Sequence, residues 1–326
     1  MIIELKETST SQIARAIQKA HQRTGNTALA FTLVVVTQEK HYDKVFQACL
    51  QAGAEHPSRI LLVVHGNGDE SRLDAEIRTG EGIPGDIVTL RMHGELAEHS
   101  GSVVLPLLLP DSKVVAWWPN ESPEHPSDDQ VGALANRRIT DAAGARNPVD
   151  AVTIRARYHS PGDTDLTWTR LTPWRALLAA AVDQYPGRVR KVTVEAARDN
   201  APAELMAAWL QARLQVPVDR KVTKGPGITG VRLNTAAGDI AVVRPPGANT
   251  ASYLVPGQPE REVALKRRDI NELITEELRR MDPDAIFEQA TQVLLDRHKQ
   301  TLEESTGTGD APAKSKKTSR SQGDTQ

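Results

Sequence analysis

The chain has 326 residues, of which 39% are hydrophobic and 25% charged, and this composition is typical of a globular protein with one or two domains. Its 40 basic and 42 acidic residues leave a net charge of −2, which disfavours bulk nucleic-acid binding because no positive field gathers phosphate groups. No apolar run approaches the roughly 20 residues that span a bilayer and the first residues do not resemble a secretory signal, so we expect a cytoplasmic protein without membrane contacts.

The first half of the chain alternates helical and strand patterns. Ser9 and Gln12 have the spacing of a capping box ahead of the first helix. Near-continuous apolar runs at residues 29–36 and 60–64 predict strands that are covered on both faces, and residues 114–117 predict another. We therefore predict an α/β domain over residues 1–160, with layers of helices around a mainly parallel sheet.

The chain has a single cysteine, Cys49, which excludes an intrachain disulfide. Cys49 shares the helical spacing of Tyr42, Val45, Phe46 and Leu50, which is typical of a buried helix face. We predict a core side chain rather than a reactive thiol, because buried thiols in apolar surroundings are inert.

The second half has a different texture. Thr172 followed by Pro173 predicts a helix start, and short alternating strands follow between residues 192 and 255. Asp269 with Glu272, and then the pair Asp282-Pro283, predict two closing helices. We predict an α+β domain over residues 161–300 and a disordered tail over residues 301–326.

Motifs for catalysis and cofactor binding are weak in this sequence. Two glycine motifs, at residues 80–85 and 225–230, match the dinucleotide fingerprint as strings, but each precedes a strand-like run rather than a helix. We interpret both as turns. The nine histidines form no metal-binding spacing with one another or with a cysteine cluster. We therefore predict no catalytic residue, no cofactor and no metal.

Two aromatic clusters are the candidate binding residues. Trp117 and Trp118 are adjacent at the end of a predicted strand, so they point to opposite faces. Either one ring faces the crevice where open α/β sheets bind ligands, or both rings pack under helices. In residues 165–175, Trp174 has core spacing, whereas Trp168, Arg170 and Arg175 have the chemistry of interface anchors or of a sugar-phosphate clamp.

Four segments in order resemble the glucose-6-phosphate dehydrogenase assembly protein family, OpcA. They are HPSRIL at residues 56–61, VVAWWP at 114–119, NRRITD at 136–141 and DLTWTRLTPWR at 165–175. The likeness extends over roughly residues 5 to 295. It implies a non-catalytic assembly factor or allosteric activator that binds glucose-6-phosphate dehydrogenase, promotes its active oligomer and supports the oxidative pentose phosphate pathway.

The candidate partner-binding residues are the tryptophans and arginines of these segments. They are Arg59, Trp117, Trp118, Arg137, Arg138, Trp168, Arg170 and Arg175. An alternative function is a sugar-phosphate-binding enzyme or sensor, with Trp117 or Trp118 as a stacking platform and Arg170 or Arg175 as phosphate clamps. The basic stretch at residues 314–320 favours solubility over nucleic-acid contact.

Overall fold

The computed structural model describes residues 1–24, 29–66, 68–80, 83 and 85–307, and these form two sheets with helices around them. The first sheet contains β1 (Ile2–Leu5), β2 (Phe31–Gln38), β3 (Ser58–His65), β4 (Arg72–Thr79), β5 (Gly85–His93), β6 (Lys113–Trp117), β7 (Arg137–Thr140) and β8 (Asp163–Asp165). The second contains β9 (Val189–Ala196), β10 (Val218–Val222), β11 (Ile228–Thr235), β12 (Gly238–Val243), β13 (Thr250–Leu254) and β14 (Arg261–Ala264). The helices are α1 (Thr10–Thr24), α2 (Tyr42–Glu55), α3 (Ser100–Val104), α4 (Pro148–Arg157), α5 (Leu166–Thr169), α6 (Thr172–Asp183), α7 (Ala201–Leu214), α8 (Ile270–Glu277) and α9 (Ala285–Gly307).

The first sheet has the strand order β1-β4-β5-β3-β2-β6-β7-β8. Strands β5, β3, β2, β6, β7 and β8 pair in parallel, whereas β4 and β1 are antiparallel additions at one edge. Apolar clusters cover both faces, which is why the central strands are apolar at nearly every position. The predicted layered α/β fold with a mainly parallel sheet is confirmed.

The capping box predicted at the first helix is present. The Ser9 amide donates to Gln12 Oε1 at 2.9 Å, and the Gln12 amide donates to Ser9 Oγ at 3.4 Å. Satisfying these otherwise unpaired amides allows α1 to begin at Thr10 and to bury Ile13 against the first sheet.

The second sheet has the order β10-β9-β11-β12-β13-β14 and is antiparallel except for β10 and β9. Its strands and helices form the predicted α+β arrangement.

Two helix starts differ from the prediction. Thr172 is the first residue of α6, after the cap position of Leu171, and α9 begins behind Asp284 rather than Asp282. Helix α9 continues through residues 301–307, and residues 308–326 of the predicted tail lie outside the described residues.

Helices on each side of residue 160, the predicted domain boundary, pack against the sheet of the other half. Val152 and Ala156 of α4 belong to the core of the second sheet, together with α7 and α9. In the opposite direction, Leu273 and Ile274 of α8 pack with α2 under the first sheet. Elements from each half of the chain therefore complete the core of the other half.

Both glycine motifs lead into strands, β5 and β11. Gly80 and Gly85 flank the connection between the antiparallel strands β4 and β5, although residues 81, 82 and 84 lie outside the described residues. Gly225 and Gly227 have positive φ angles and precede β11 directly. Residues 225–230 therefore open no helix, and their interpretation as a turn is confirmed. The same interpretation of residues 80–85 falls partly outside the described residues. In the described part of the chain, no helix combines the length and apolarity needed to cross a bilayer.

Cys49 is fully buried in the α2 face against the first sheet, as predicted. Burial raises the pKa of its thiol to about 12, because the thiolate loses its hydration. We expect the folded protein to resist a thiol reagent at pH 8 and to react with one equivalent in denaturing urea. Absorbance measures how fast the reagent labels the thiol. Rapid labelling of Cys49 in the folded chain would contradict its burial.

Candidate functional site

Residues 165–175, here called the Trp/Arg segment, connect β8 to α6 at the junction of the two sheets. Two cavities border the segment, of about 770 Å³ and about 240 Å³, and they are lined by different residues of it. The larger cavity, here called the Trp168 groove, is bounded by Trp168, Arg175, Arg137, Glu277 and the residues between α8 and α9. The segment with the strongest sequence signal therefore borders two cavities.

Asp165 holds the start of the Trp/Arg segment in place. Its carboxylate is buried and accepts hydrogen bonds from Thr140 Oγ1 at 2.6 Å, the Ala142 amide at 2.9 Å and the Thr167 amide at 2.8 Å. The last of these bonds caps α5. Three donors compensate the buried charge, so this acid has a structural role.

Trp168 forms the floor of the groove. The ring is only 2% exposed, and its Nε1 donates to Asp284 Oδ2 at 2.9 Å. Phe287 packs against it, with the ring centroids 5.7 Å apart. The Arg175 guanidinium carbon lies 3.6 Å from the Trp168 ring centroid, which is cation–π geometry.

Arg175 differs from the other predicted arginines in its charge balance. Within the described residues it forms no ion pair; its Nη2 donates to Thr172 Oγ1 at 3.4 Å, and its Nε has no partner. Burial lowers its pKa to about 10, although nearby Asp284, Glu276 and Glu277 act in the opposite direction. Arg175 therefore remains charged at neutral pH, partly desolvated and without a bound carboxylate.

The other predicted arginines are occupied by intrachain ion pairs. These are Arg59 with Asp86 at 3.2 Å, Arg137 with Glu277, Arg138 with Asp163, and Arg170 with Asp141 through bonds of 2.6 and 2.8 Å. Arg137 and Arg138 are buried and take part in internal packing. The expectation of partner contacts at these two residues stays a prediction.

Trp117 and Trp118 point to opposite faces of the first sheet, but both are buried, with exposures of 0% and 2%. Both rings pack in the apolar clusters on the two faces of the sheet, which is one of the two arrangements the sequence allowed. A role for them in partner binding stays a prediction. Glu121, beyond the strand end, accepts a hydrogen bond from Gln38 Nε2 at 2.7 Å. A carboxylate at this position does not favour a phosphate site.

Sequence reasoning missed the partners that organise the Trp/Arg segment. Glu277 and Asp284 both lie more than 100 residues away along the chain, as the bonds to Thr169 and Trp168 show. A signal existed for Asp284, because the acidic residues beside Pro283 predicted a helix start. Glu277 carried no such signal. Among the described residues, no group of three or more His, Cys, Asp or Glu side chains is placed to hold a metal ion.

Asp284 provides a pH-dependent test of this geometry. Burial tends to raise its pKa, but hydrogen bonds from Trp168 and from the amides of Phe287 and Ile286 outweigh burial and lower it. A carboxylate with a lowered folded pKa stabilises the protein above the unfolded pKa of about 3.9, and this stability is lost as the pH falls through the folded pKa. We expect Asp284→Asn to lower the free energy of unfolding at pH 7 by about 1–3 kcal/mol.

Urea unfolding between pH 7 and pH 3 measures this effect. The difference between the wild type and Asp284→Asn should shrink at the acid end. The control is Asp282→Asn, because Asp282 is exposed and two residues away. A difference that grows toward acid pH would contradict the assignment of the Trp168–Asp284 bond.

Comparison with protein families finds two adjacent matches. Residues 50–157 match the model described as the glucose-6-phosphate dehydrogenase subunit N-terminal domain of OpcA. Residues 161–291 match the corresponding C-terminal domain. A curated relative, the OpcA protein of Synechocystis sp., is 26% identical over 181 residues, which is 50% of this chain and 38% of the relative. The chain thus matches well under half the length of that relative.

The solved structures that align with most of this chain include oxidoreductases. KijD10, a 3-ketoreductase from Actinomadura kijaniata, has a TM-score of 0.46 and 8% identity, covering 81% of this chain and 94% of that chain. The dehydrogenase MviM from Clostridium difficile has a TM-score of 0.43 and 8% identity, covering 83% and 99%. Similarity this low carries no argument about the chemistry of this chain.

Proposed function

The chain belongs to the glucose-6-phosphate dehydrogenase assembly protein family, OpcA, and from that premise we propose that it binds glucose-6-phosphate dehydrogenase and favours that enzyme's active oligomer. The observation that carries the proposal is the pair of domain matches, which follow one another in order and together span most of residues 50–291. The role supports the oxidative pentose phosphate pathway.

The Trp168 groove is the proposed docking surface. Arg175 lies over the Trp168 ring, is partly desolvated and has no carboxylate partner among the described residues. Arg and Trp are the residue types that dominate binding energy at protein interfaces. A carboxylate on the dehydrogenase surface would pair with the Arg175 guanidinium in the geometry that arginine favours.

The same groove has a rim of both charge signs. Arg279, Arg280 and Asp282 all line the groove and are exposed. Rim charges steer encounter and fix register more than they add affinity. This arrangement supports a protein surface as the occupant, in preference to a single small anion.

Activation then follows from differential binding. The chain shifts the dehydrogenase toward an active assembly only by the difference between its affinities for the two states. A shift from 1:99 to 99:1 requires a preference of about 5.5 kcal/mol, which a few buried anchors supply. In this proposal the chain has no dehydrogenase activity of its own.

Turnover of purified dehydrogenase, titrated with this chain, tests the proposal. We expect turnover to rise and then saturate, while the chain alone reduces no nicotinamide cofactor in the presence of glucose 6-phosphate. Unchanged turnover at saturating chain would overturn the activator role. Reduction by the chain alone would overturn its assignment as a non-catalytic protein.

A further inference from the structure

The smaller cavity, of about 240 Å³, borders the Trp/Arg segment at Arg170, Leu171, Pro173 and Trp174. It is far larger than the roughly 10–15 Å³ that a single water molecule needs. We call it the Arg244 pocket. The residues that matter are Arg244, Arg267, Asn200, Gly227 and Trp174.

Arg244 is a buried cation without a counterion. It is 5% exposed, and its two terminal nitrogens donate to the carbonyl oxygens of Leu265 at 2.9 Å and Ile228 at 3.3 Å. Its Nε has no partner, and it takes part in no ion pair within the described chain. Burial, followed by the neighbouring Arg267, lowers its pKa to about 10, so it is charged at neutral pH. An uncompensated buried charge is costly unless a ligand neutralises it.

Arg267 supplies a second cation at the pocket. It is exposed, donates to the Pro226 carbonyl, and likewise forms no ion pair with any described residue. A methyl group built on Gly227 would lie 3.8 Å from Arg267 Nη2 and 4.0 Å from Asn200 Nδ2. Two donor groups therefore border the space above a glycine whose φ is +72°, where a ligand can come close to the backbone.

The side-chain amide nitrogen of Asn200 is a hydrogen-bond donor at the pocket. Its side-chain oxygen accepts the Ala203 amide at 3.0 Å and caps α7, so the remaining Nδ2 group is a donor. The pocket also lies at the beginning of this 14-residue helix, whose positive dipole end favours anions.

The remaining charges that line the pocket are balanced, with one exception. The pairs are Arg170 with Asp141, Lys266 with Glu272, and Arg268 with Glu276. Asp199 lines the pocket and is exposed at the rim. One exposed acid does not neutralise two guanidinium groups, one of which is buried, so the described lining keeps a net positive charge.

We propose that the Arg244 pocket binds the phosphate group of a small metabolite, with Arg244, Arg267 and Asn200 Nδ2 as donors. A phosphate offers several acceptor oxygens and up to two negative charges, which match two guanidinium groups and an amide. Trp174, whose ring centroid is 5.1 Å from the Arg244 guanidinium carbon, forms part of the wall. This site goes beyond the proposed function and does not depend on it.

Calorimetric titration of the isolated full chain at constant ionic strength tests the proposal, without the dehydrogenase. The probes are inorganic phosphate, glucose 6-phosphate and adenosine monophosphate. We expect saturable binding of at least one of them, and the tightest probe identifies whether the free ion, a sugar ester or a nucleotide is the source. Arg267→Ala should weaken binding about tenfold or more, whereas Arg261→Ala, an exposed arginine outside the pocket, should leave it unchanged.

Arg244→Gln should abolish binding in a chain whose circular dichroism matches the wild type. Because Arg267 is exposed, Arg267→Ala keeps the test informative if Arg244→Gln does not fold. Absence of saturable binding for all three probes would overturn the proposal. Equal losses in Arg267→Ala and Arg261→Ala would also overturn it, because that result indicates general charge screening.

Discussion

Replacing Arg175 with alanine is expected to weaken binding to glucose-6-phosphate dehydrogenase by about 2 kcal/mol, a factor of roughly 30. The reason is that Arg175 stacks 3.6 Å above Trp168 and forms no ion pair within the described residues. Its removal therefore deletes a positive anchor without leaving an internal acid unpaired. Surface-immobilised dehydrogenase and graded concentrations of each variant give the dissociation constants.

A matched control separates this effect from a general loss of charge. Arg213 is exposed near the end of α7 and lines neither cavity, so Arg213→Ala removes the same charge elsewhere. Its dissociation constant should stay close to that of the wild type. Arg175→Lys should weaken binding nearly as much as Arg175→Ala does, because lysine lacks the planar group that stacks on the indole. Equal affinities for the wild type and Arg175→Ala would rule out the groove as the docking surface.

Breaking the buried Arg137–Glu277 ion pair is expected to destabilise the fold by about 3–5 kcal/mol. The two side chains are 3% and 10% exposed, and Thr169 Oγ1 also donates to Glu277 at 2.6 Å. Arg137→Met leaves the Glu277 carboxylate buried without its cation. Urea unfolding followed by circular dichroism measures the loss.

A double substitution that removes both charges of the pair is the control. Arg137→Met combined with Glu277→Met removes both charges, so we expect it to be more stable than Arg137→Met alone. Lys40→Ala removes one partner of the exposed Lys40–Glu121 pair and should change stability by less than about 1 kcal/mol. If the cost of the double change equals the sum of the costs of Arg137→Met and Glu277→Met alone, the two side chains do not interact and the pair does not stabilise the junction.

This ion pair also connects the two family domains. Arg137 lies within the N-terminal match and Glu277 within the C-terminal match. Arg137 additionally donates to the Asp282 carbonyl at 2.7 Å, on the connection between α8 and α9 that borders the Trp168 groove. The groove is therefore built jointly by both halves, and a change in their packing would alter its shape.

The central strands were predictable because burial on both faces demands unbroken apolar runs, which β2 and β3 display. Strand β4 was missed although its sequence contains a signal. Leu73, Ala75 and Ile77 alternate with charged residues, and the inward positions are buried while the outward ones are not. That period of two is typical of a strand with one solvated face. Strand β1 is short, and none of its residues is fully buried.

The candidate site was predictable only where its chemistry is local in sequence. The Trp/Arg segment stood out because Trp168, Arg170 and Arg175 lie within eight residues of one another. Arg170 forms an ion pair with Asp141, whereas Asp284 and Glu277 bond to Trp168 and Thr169 and leave Arg175 without an acid partner. These acids are distant in sequence, and only the fold brings them to the segment. Arg244 gave no signal at all, because its charge matters only once burial has removed water from it.

The mass of glucose-6-phosphate dehydrogenase in solution tests whether the chain promotes that enzyme's assembly. Light scattering across a dilution series would be compared with and without the wild-type chain. We expect the chain to co-elute with the enzyme and the larger assembly to persist at dilutions where the enzyme alone dissociates. Identical masses in both series, with the chain eluting separately, would contradict it.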